Sequence, residues 1–247
     1  MLSIYKVAEG PVRPHPVAVA DVAAVLRAGG LALLPTETVY GIGVSVAAFA
    51  SAHAEGSGAA VGTGAAALPV PGPGTGYGRI FTLKQRELTQ TVPWLVDGPE
   101  ALDIYGAGVA PEVCALASAF WPGALTLVVN ASPRVPAFMR AADGTVALRA
   151  SGPPVIQALI KACGSPLAVT SANTHGAPAP AAFADVEPRI LAGVDVAVDA
   201  GATSCRDAST IVSFERGELQ IIRQGALSAA RIEAALAHVP HRPAEHA

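Results

Sequence analysis

Residues 35–43, Pro35-Thr36-Glu37-Thr38-Val39-Tyr40-Gly41-Ile42-Gly43, place two threonines, a tyrosine and a carboxylate directly behind the apolar run at 31–34. In extended backbone Thr36, Thr38 and Tyr40 would share one face while Val39 takes the other. Gly41 and Gly43 permit close approach of the backbone to a ligand. Polar groups gathered behind a core strand are costly to bury without partners, so a small polar ligand is expected here. Lys84 and Arg86 stand two apart. In extended backbone they would aim at one point, and a polyphosphate is the ligand class that a guanidinium fork and a compact ammonium serve together. Ser171-Ala172-Asn173, Ser209-Thr210 and Arg223 each adjoin an apolar run. Hydroxyl and guanidinium groups thus recur at the ends of several core strands and can converge on one crevice. His175 is a lone loop histidine, Glu37 and Asp199 have no evident partner, and no nucleophile elbow, Walker loop or dinucleotide fingerprint is present.

The elements that must position these groups alternate along the chain. Helical spacing over 17–28 stops at Gly29-Gly30 and feeds a strand at 31–34. Residues 47–78 are Ala, Gly, Pro and Ser with few bulky apolar side chains, which reads as an insertion without regular structure, either a lid or a drifted low-complexity loop. Order resumes at 79–86, as the end of a helix or a short strand. Strands are expected at 94–96, 124–129, 146–149, 167–170, 194–198, 209–214 and 219–223, and helices at 111–120, 154–162 and 228–238. Interleaved strands and helices with adjacent strands near the end predict an α/β fold with a mixed sheet covered by helices. One domain over 1–247 is expected, with its core at about 15–230 and a flexible tail at about 239–247.

Composition narrows the class. About half of the 247 residues are apolar, ample for a sizeable core, and the net charge of −3 gives no global footprint for nucleic acid. Three widely spaced cysteines without CxxC pairing argue against a disulfide framework or a structural zinc site. The N-terminus lacks the pattern of a secretory signal and no apolar run reaches membrane-spanning length, so a cytoplasmic protein without membrane contact is expected.

Taken in order, residues 35–43, Lys84-Gln85-Arg86, Phe120-Trp121-Pro122-Gly123-Ala124-Leu125-Thr126-Leu127, Ser171-Ala172-Asn173, Ser209-Thr210-Ile211-Val212 and Arg223-Gln224-Gly225-Ala226 resemble the YrdC-like family of threonylcarbamoyl-AMP synthases. The resemblance runs from about residue 15 to 230. It implies a twisted mixed sheet around a large concave cavity, and an enzyme that joins L-threonine, bicarbonate and ATP into threonylcarbamoyl-AMP and pyrophosphate for tRNA modification. It further implies that Lys84, Arg86, Thr126, Ser171, Asn173, Ser209 and Arg223 hold ATP, with Lys84 and Arg86 catalytic, and that Thr36, Thr38, Tyr40 and Arg149 lie near threonine and the carbamate. Mg²⁺ would ride on the phosphates with no protein metal site. RNA contact, or hand-over to a tRNA-modifying threonylcarbamoyl transferase, would follow. The segment 87–94 departs from the family pattern and leaves the amino-acid side of the pocket open, as does Ala150-Ser151-Gly152 after Arg149. The chain ends near Ala247, so the additional C-terminal domain of longer relatives is expected to be absent. A paralogue making carbamoyl-AMP or another acyl-AMP, and a non-catalytic RNA-binding protein, are the alternatives. Lys84→Ala is expected to cost turnover and spare folding.

Overall fold

The computed structural model describes residues 2–7, 14–50, 71–88, 90–215 and 217–237. The strands are β1 (Ser3–Lys6), β2 (Ala32–Pro35), β3 (Tyr40–Ser45), β4 (Trp94–Val96), β5 (Leu125–Asn130), β6 (Thr145–Ala150), β7 (Leu167–Ser171), β8 (Val196–Asp199), β9 (Thr210–Glu215) and β10 (Glu218–Arg223). The helices are α1 (Pro16–Arg27), α2 (Ala47–Ala50), α3 (Gly76–Lys84), α4 (Ala101–Tyr105), α5 (Pro111–Phe120), α6 (Pro154–Cys163), α7 (Pro188–Ala192) and α8 (Ala229–Leu236). Among the described residues the strands form one mixed sheet in the order β1-β8-β2-β3-β7-β4-β6-β5-β9-β10.

Local chemistry sets the helix ends. Proline opens α1, α5 and α6, where a missing N–H costs nothing. Thr75 caps α3 by accepting from the Gly78 N–H at 3.1 Å. Helix α1 gives way to Gly29, whose φ of +81° turns the chain into β2.

Two apolar layers follow from strand alternation. On one face Leu34, Leu95, Leu167, Val169, Val196 and Val198 pack against Val22 and Leu26 of α1 and Ile156, Leu159 and Ile160 of α6. On the other, Leu33, Ile42, Val44, Trp94 and Leu148 pack with side chains of α3, α5 and α8. The central strands are buried on both sides, which is why they read as continuous apolar runs.

The expected α/β mixed sheet is the one observed, with differences that bear on the site. Strand β3 was not among the expected elements, and it pairs antiparallel with β2, Pro35 opposite Tyr40, so residues 36–39 are a turn and not an extended segment. Strand β1, an exposed edge strand, and the short helices α2, α4 and α7 also went unforeseen. Residues 79–84 belong to a helix. The expected insertion is narrower at both ends, because 47–50 and 76–78 are helical. Its middle, 51–70, and the tail at 239–247 lie outside the described residues.

Gly41 and Gly43 sit beside β7, opposite Ser171 and Val169. A Cβ on Gly43 would fall 2.5 Å from Val169 Cγ2 and 2.7 Å from the Ala168 carbonyl oxygen, a backbone atom that cannot step aside. Gly43→Ala should therefore lower stability by about 1–3 kcal/mol, the usual cost of overpacking. The check is the midpoint of denaturant unfolding; no shift would show that β3 can retreat from β7.

Candidate functional site

Beyond the cover of α1 and α6, the face of the sheet that they pack turns polar. Arg149 pairs level with Leu95 of β4, and Leu95 with Leu167 of β7. Val169 and Ser171 follow at two-residue steps on the same side. Thr126 precedes Leu127, which pairs with Leu148, so Thr126 and Arg149 share the face opposite that pair. With the 36–39 turn, Ser209 and Arg223, these residues line a hollow of about 90 Å³. The candidate site thus lies across the face of the sheet and not at a row of strand tips.

On its β5–β9–β10 side, Thr126 Oγ1 and Ser209 Oγ share a hydrogen bond of 2.8 Å. Arg223 donates through Nε and Nη2 to the Ser209 carbonyl at 3.2 and 2.7 Å, and through Nη2 to Ser209 Oγ at 3.2 Å. Burial, and then the neighbouring Arg149 charge, lower the Arg223 pKa. Arg149 donates from Nε to the Gly123 carbonyl at 3.1 Å and meets Glu37 Oε1 through Nη2 at 2.8 Å. Two guanidinium groups thus border one hollow, and an anion there relieves their mutual repulsion.

The 36–39 turn is organised by Thr36. Its hydroxyl receives the N–H groups of Thr38 and Val39 and lies 2.6 Å from the Val39 carbonyl and 2.8 Å from Thr38 Oγ1. Thr203 fixes the turn from outside by donating to the Thr38 carbonyl at 2.8 Å. Tyr40 departs from the expectation that it shares a face with Thr36 and Thr38. As the first residue of β3 it points with Ile42 and Val44 into the opposite apolar layer. Its hydroxyl donates to the Gly201 carbonyl at 3.0 Å and accepts from the Ala200 N–H at 2.9 Å.

Lys84 and Arg86 come to the same region by a different geometry from the extended one expected. Lys84 closes α3, Gln85 adopts a left-handed conformation with φ of 51°, and Arg86 lies beyond it. Lys84, 2% exposed, donates to the carbonyl and hydroxyl of Ser171 at 2.5 and 3.3 Å and to the carbonyl and Oδ1 of Asn173 at 2.9 and 3.1 Å. Asn173 Nδ2 donates to the Thr174 and Ala177 carbonyls. Arg86 donates to Thr170 Oγ1 at 3.3 Å and to the Gln90 and Thr91 carbonyls, and lies over the Phe81 ring at 5.3 Å. Lys84, Arg86 and Asn173 therefore stand behind the wall formed by Thr170 and Ser171, outside the lining of the hollow itself.

The partner of Glu37 escaped the sequence reading. Besides Arg149, its Oε2 accepts from Ser151 Oγ at 2.5 Å. These residues are more than a hundred positions apart. The available signal was an arginine in an otherwise apolar strand, with Ser151 two residues on along the same face. Among the described residues, no cluster of three or more His, Cys, Asp or Glu could hold a metal ion, and no helix is long and apolar enough to cross a membrane.

Comparison with known proteins places this architecture. The Sua5/YciO/YrdC family model, described as "Telomere recombination", matches residues 75–225. A relative in Mycobacterium leprae is 36% identical over 222 residues, covering 90% of this chain and 89% of its own length. The chain belongs to this family. A threonylcarbamoyl-AMP synthase of Pyrococcus abyssi is 28% identical over 222 residues, and the chain spans 58% of that protein's length. The crystal structure of P. abyssi Sua5 complexed with L-threonine superposes with a TM-score of 0.78 at 27% identity, over 94% of this chain and 60% of that one. The α/β mixed sheet is thus the Sua5/YciO/YrdC fold.

Burial and the nearby Arg86 charge lower the Lys84 pKa to about 8. An unfolded lysine titrates near 10.5. Between those values the unfolded chain holds more protons, so this group's contribution to stability rises with pH there, while the charged clamp on Ser171 and Asn173 is complete only below about 8. A titration of the Lys84 Cε resonance should show a midpoint near 8; one near 10.5 would show that its four oxygen contacts offset burial. The expectation that Lys84→Ala costs turnover is joined by a second one, a loss of stability, because Lys84 holds four oxygens. Stranding buried oxygens of Ser171 and Asn173 should cost about 1–3 kcal/mol in unfolding free energy.

Proposed function

We propose that this chain is a threonylcarbamoyl-AMP synthase, forming threonylcarbamoyl-AMP and pyrophosphate from ATP, L-threonine and bicarbonate around the Thr36–Arg149–Arg223 hollow. The observation that carries the reading is the pairing of two guanidinium groups with a hydroxyl-rich turn in one hollow, in a family whose Pyrococcus member was crystallised with L-threonine. The reading extends to one catalytic domain over about 15–230. The product would serve tRNA threonylcarbamoyladenosine formation through a threonylcarbamoyl transferase, in the cytoplasm where ATP and tRNA meet.

The chemistry fits the side chains. The threonine amine and bicarbonate condense to a carbamate with loss of water. A carbamate oxygen then attacks the α-phosphorus, forming the mixed anhydride as the bond to pyrophosphate breaks. No protein nucleophile is required, so positioning and charge stabilisation carry the rate. In this reading Thr36 and Thr38 orient the amino acid and its carbamate. Arg149 and Arg223, with Thr126 and Ser209, face anionic oxygens, and Lys84, Asn173 and Arg86 fix the Ser171 wall and add positive potential behind it. A hollow of about 90 Å³ takes a group the size of a phosphate or carboxylate, and an adenosine moiety would lie along its mouth. Hydroxyls and guanidinium groups do not make a magnesium cage, so Mg²⁺ would enter on the phosphate oxygens as part of the substrate.

Incubation with ATP, labelled bicarbonate and a panel of amino acids should give pyrophosphate release that depends on threonine. Release with another acceptor would reassign the substrate, and tight RNA binding without any release would overturn the enzymatic reading. Arg223→Ala should lower kcat/KM by roughly 10²-fold or more, as expected for a preorganised donor facing developing charge. Unchanged kinetics would remove Arg223 from the site.

A further inference from the structure

Glu37 does not line the hollow, yet its carboxylate is joined to the arginine that does. Its Oε1 lies 2.8 Å from Arg149 Nη2, and both side chains are largely removed from water, at 14% and 8% exposure. Neither atom of this pair has an aligned hydrogen bond, so both retain bonding capacity despite their closeness. The carboxylate is fixed from its other side, where Oε2 accepts from Ser151 Oγ at 2.5 Å. Its backbone is fixed too, since the Glu37 carbonyl accepts from the Cys205 N–H at 2.8 Å and from Ser204 Oγ at 3.2 Å. Arg149 is anchored near its base, with Nε on the Gly123 carbonyl, and its outer nitrogen carries no aligned bond. The negative charge is therefore immobile, and the positive charge beside it can re-aim.

We propose that Glu37 is a positioning residue that balances Arg149 while the hollow is empty and yields it to an incoming anionic group, and so sets how tightly the hollow holds an anion. This rests on the reading that the hollow receives phosphate or carboxylate oxygens. A carboxylate at contact distance both neutralises Arg149 and repels an approaching anion. Ser151 moderates that effect: its hydrogen bond to Oε2 draws on the carboxylate's charge and weakens its hold on the guanidinium. The contrast with Arg223 is direct, because Arg223 is held by the Ser209 carbonyl and hydroxyl, neutral acceptors that an anion need not displace.

The test is calorimetric titration of pyrophosphate into the full chain at two ionic strengths. Glu37→Gln should bind it more tightly by roughly tenfold, equivalent to about 1.4 kcal/mol, with a steeper salt dependence. The gain should vanish when Glu37→Gln is combined with Arg149→Met and compared with Arg149→Met alone, an outcome that a purely structural role would not produce. Ser151→Ala, which leaves the charge in place, should weaken binding, and it keeps the test decisive if Glu37→Gln fails to fold. Tighter binding in Glu37→Gln that needs Arg149, with weaker binding in Ser151→Ala, supports the proposal. Binding by the unaltered protein with no gain in Glu37→Gln, or no loss in Ser151→Ala, overturns it alone. Absence of pyrophosphate binding in every form removes the anion-receiving hollow and this proposal with it.

Discussion

Positive charge gathers at Lys84 and Arg149, which are buried, at the half-buried Arg86 and at the more exposed Arg223, and among the described residues only Arg149 of these four makes a contact ion pair. The other three are held by neutral oxygens: Ser171 and Asn173 for Lys84, Thr170, Gln90 and Thr91 for Arg86, Ser209 for Arg223. A buried cation needs compensation, and carbonyl dipoles supply it without cancelling the charge. The result is a region of surplus positive potential inside a rigid frame. The depressed pKa values of Lys84, Arg86 and Arg223, each owed first to burial, record the same imbalance from the proton's side.

The frame is the sheet. Arg149 and Thr126 are brought to one face by the β5–β6 pairing, and Ser171 reaches that face through β4 and β7. The close approach of β3 to β7, with glycines at 41 and 43 under Val169, holds the 36–39 turn against the end of β7. Helices α1 and α6 cover the neighbouring part of the same face with aliphatic side chains. Polar groups are thereby confined to the stretch of sheet that the helices leave bare. Site and core are consequently two parts of one surface, and the strand alternation that buries Leu167 and Val169 also aims Ser171.

This division explains what could be read from the chain alone. Strands buried on both faces, such as β7 and β5, announce themselves as apolar runs, and α5 and α6 are marked by their opening prolines. Strand β3 was hidden because Tyr40-Gly41-Ile42-Gly43 alternates a large residue with none, a pattern that reads as a Gly-rich turn. Tyr40 was misplaced for the same reason: the turn at 36–39 resets the alternation, so counting by twos from Thr36 reaches the wrong face. Lys84 and Arg86 were legible as neighbours and not as a helix end, since the left-handed Gln85 between them has no marker in its residue type. The Glu37–Arg149–Ser151 cluster depends on contacts across more than a hundred residues, which no local spacing encodes.

The two ways of holding a cation bear on how such a site would turn over. Arg223, resting on the Ser209 oxygens, can share a ligand's oxygens without releasing its own partners, and Lys84 adds positive potential from behind the Ser171 wall, so both offer an anion a standing attraction. Arg149 can be shared only by loosening its contact with Glu37, and part of any anion's binding energy is offset by that exchange. In the proposed reaction, where pyrophosphate would have to leave after each cycle, such a counterweight is an advantage, because uniformly strong binding of product would slow its departure without aiding the chemical step. A carboxylate in contact with Arg149 is therefore a means of keeping the hollow attractive to phosphate oxygens and reversible toward them.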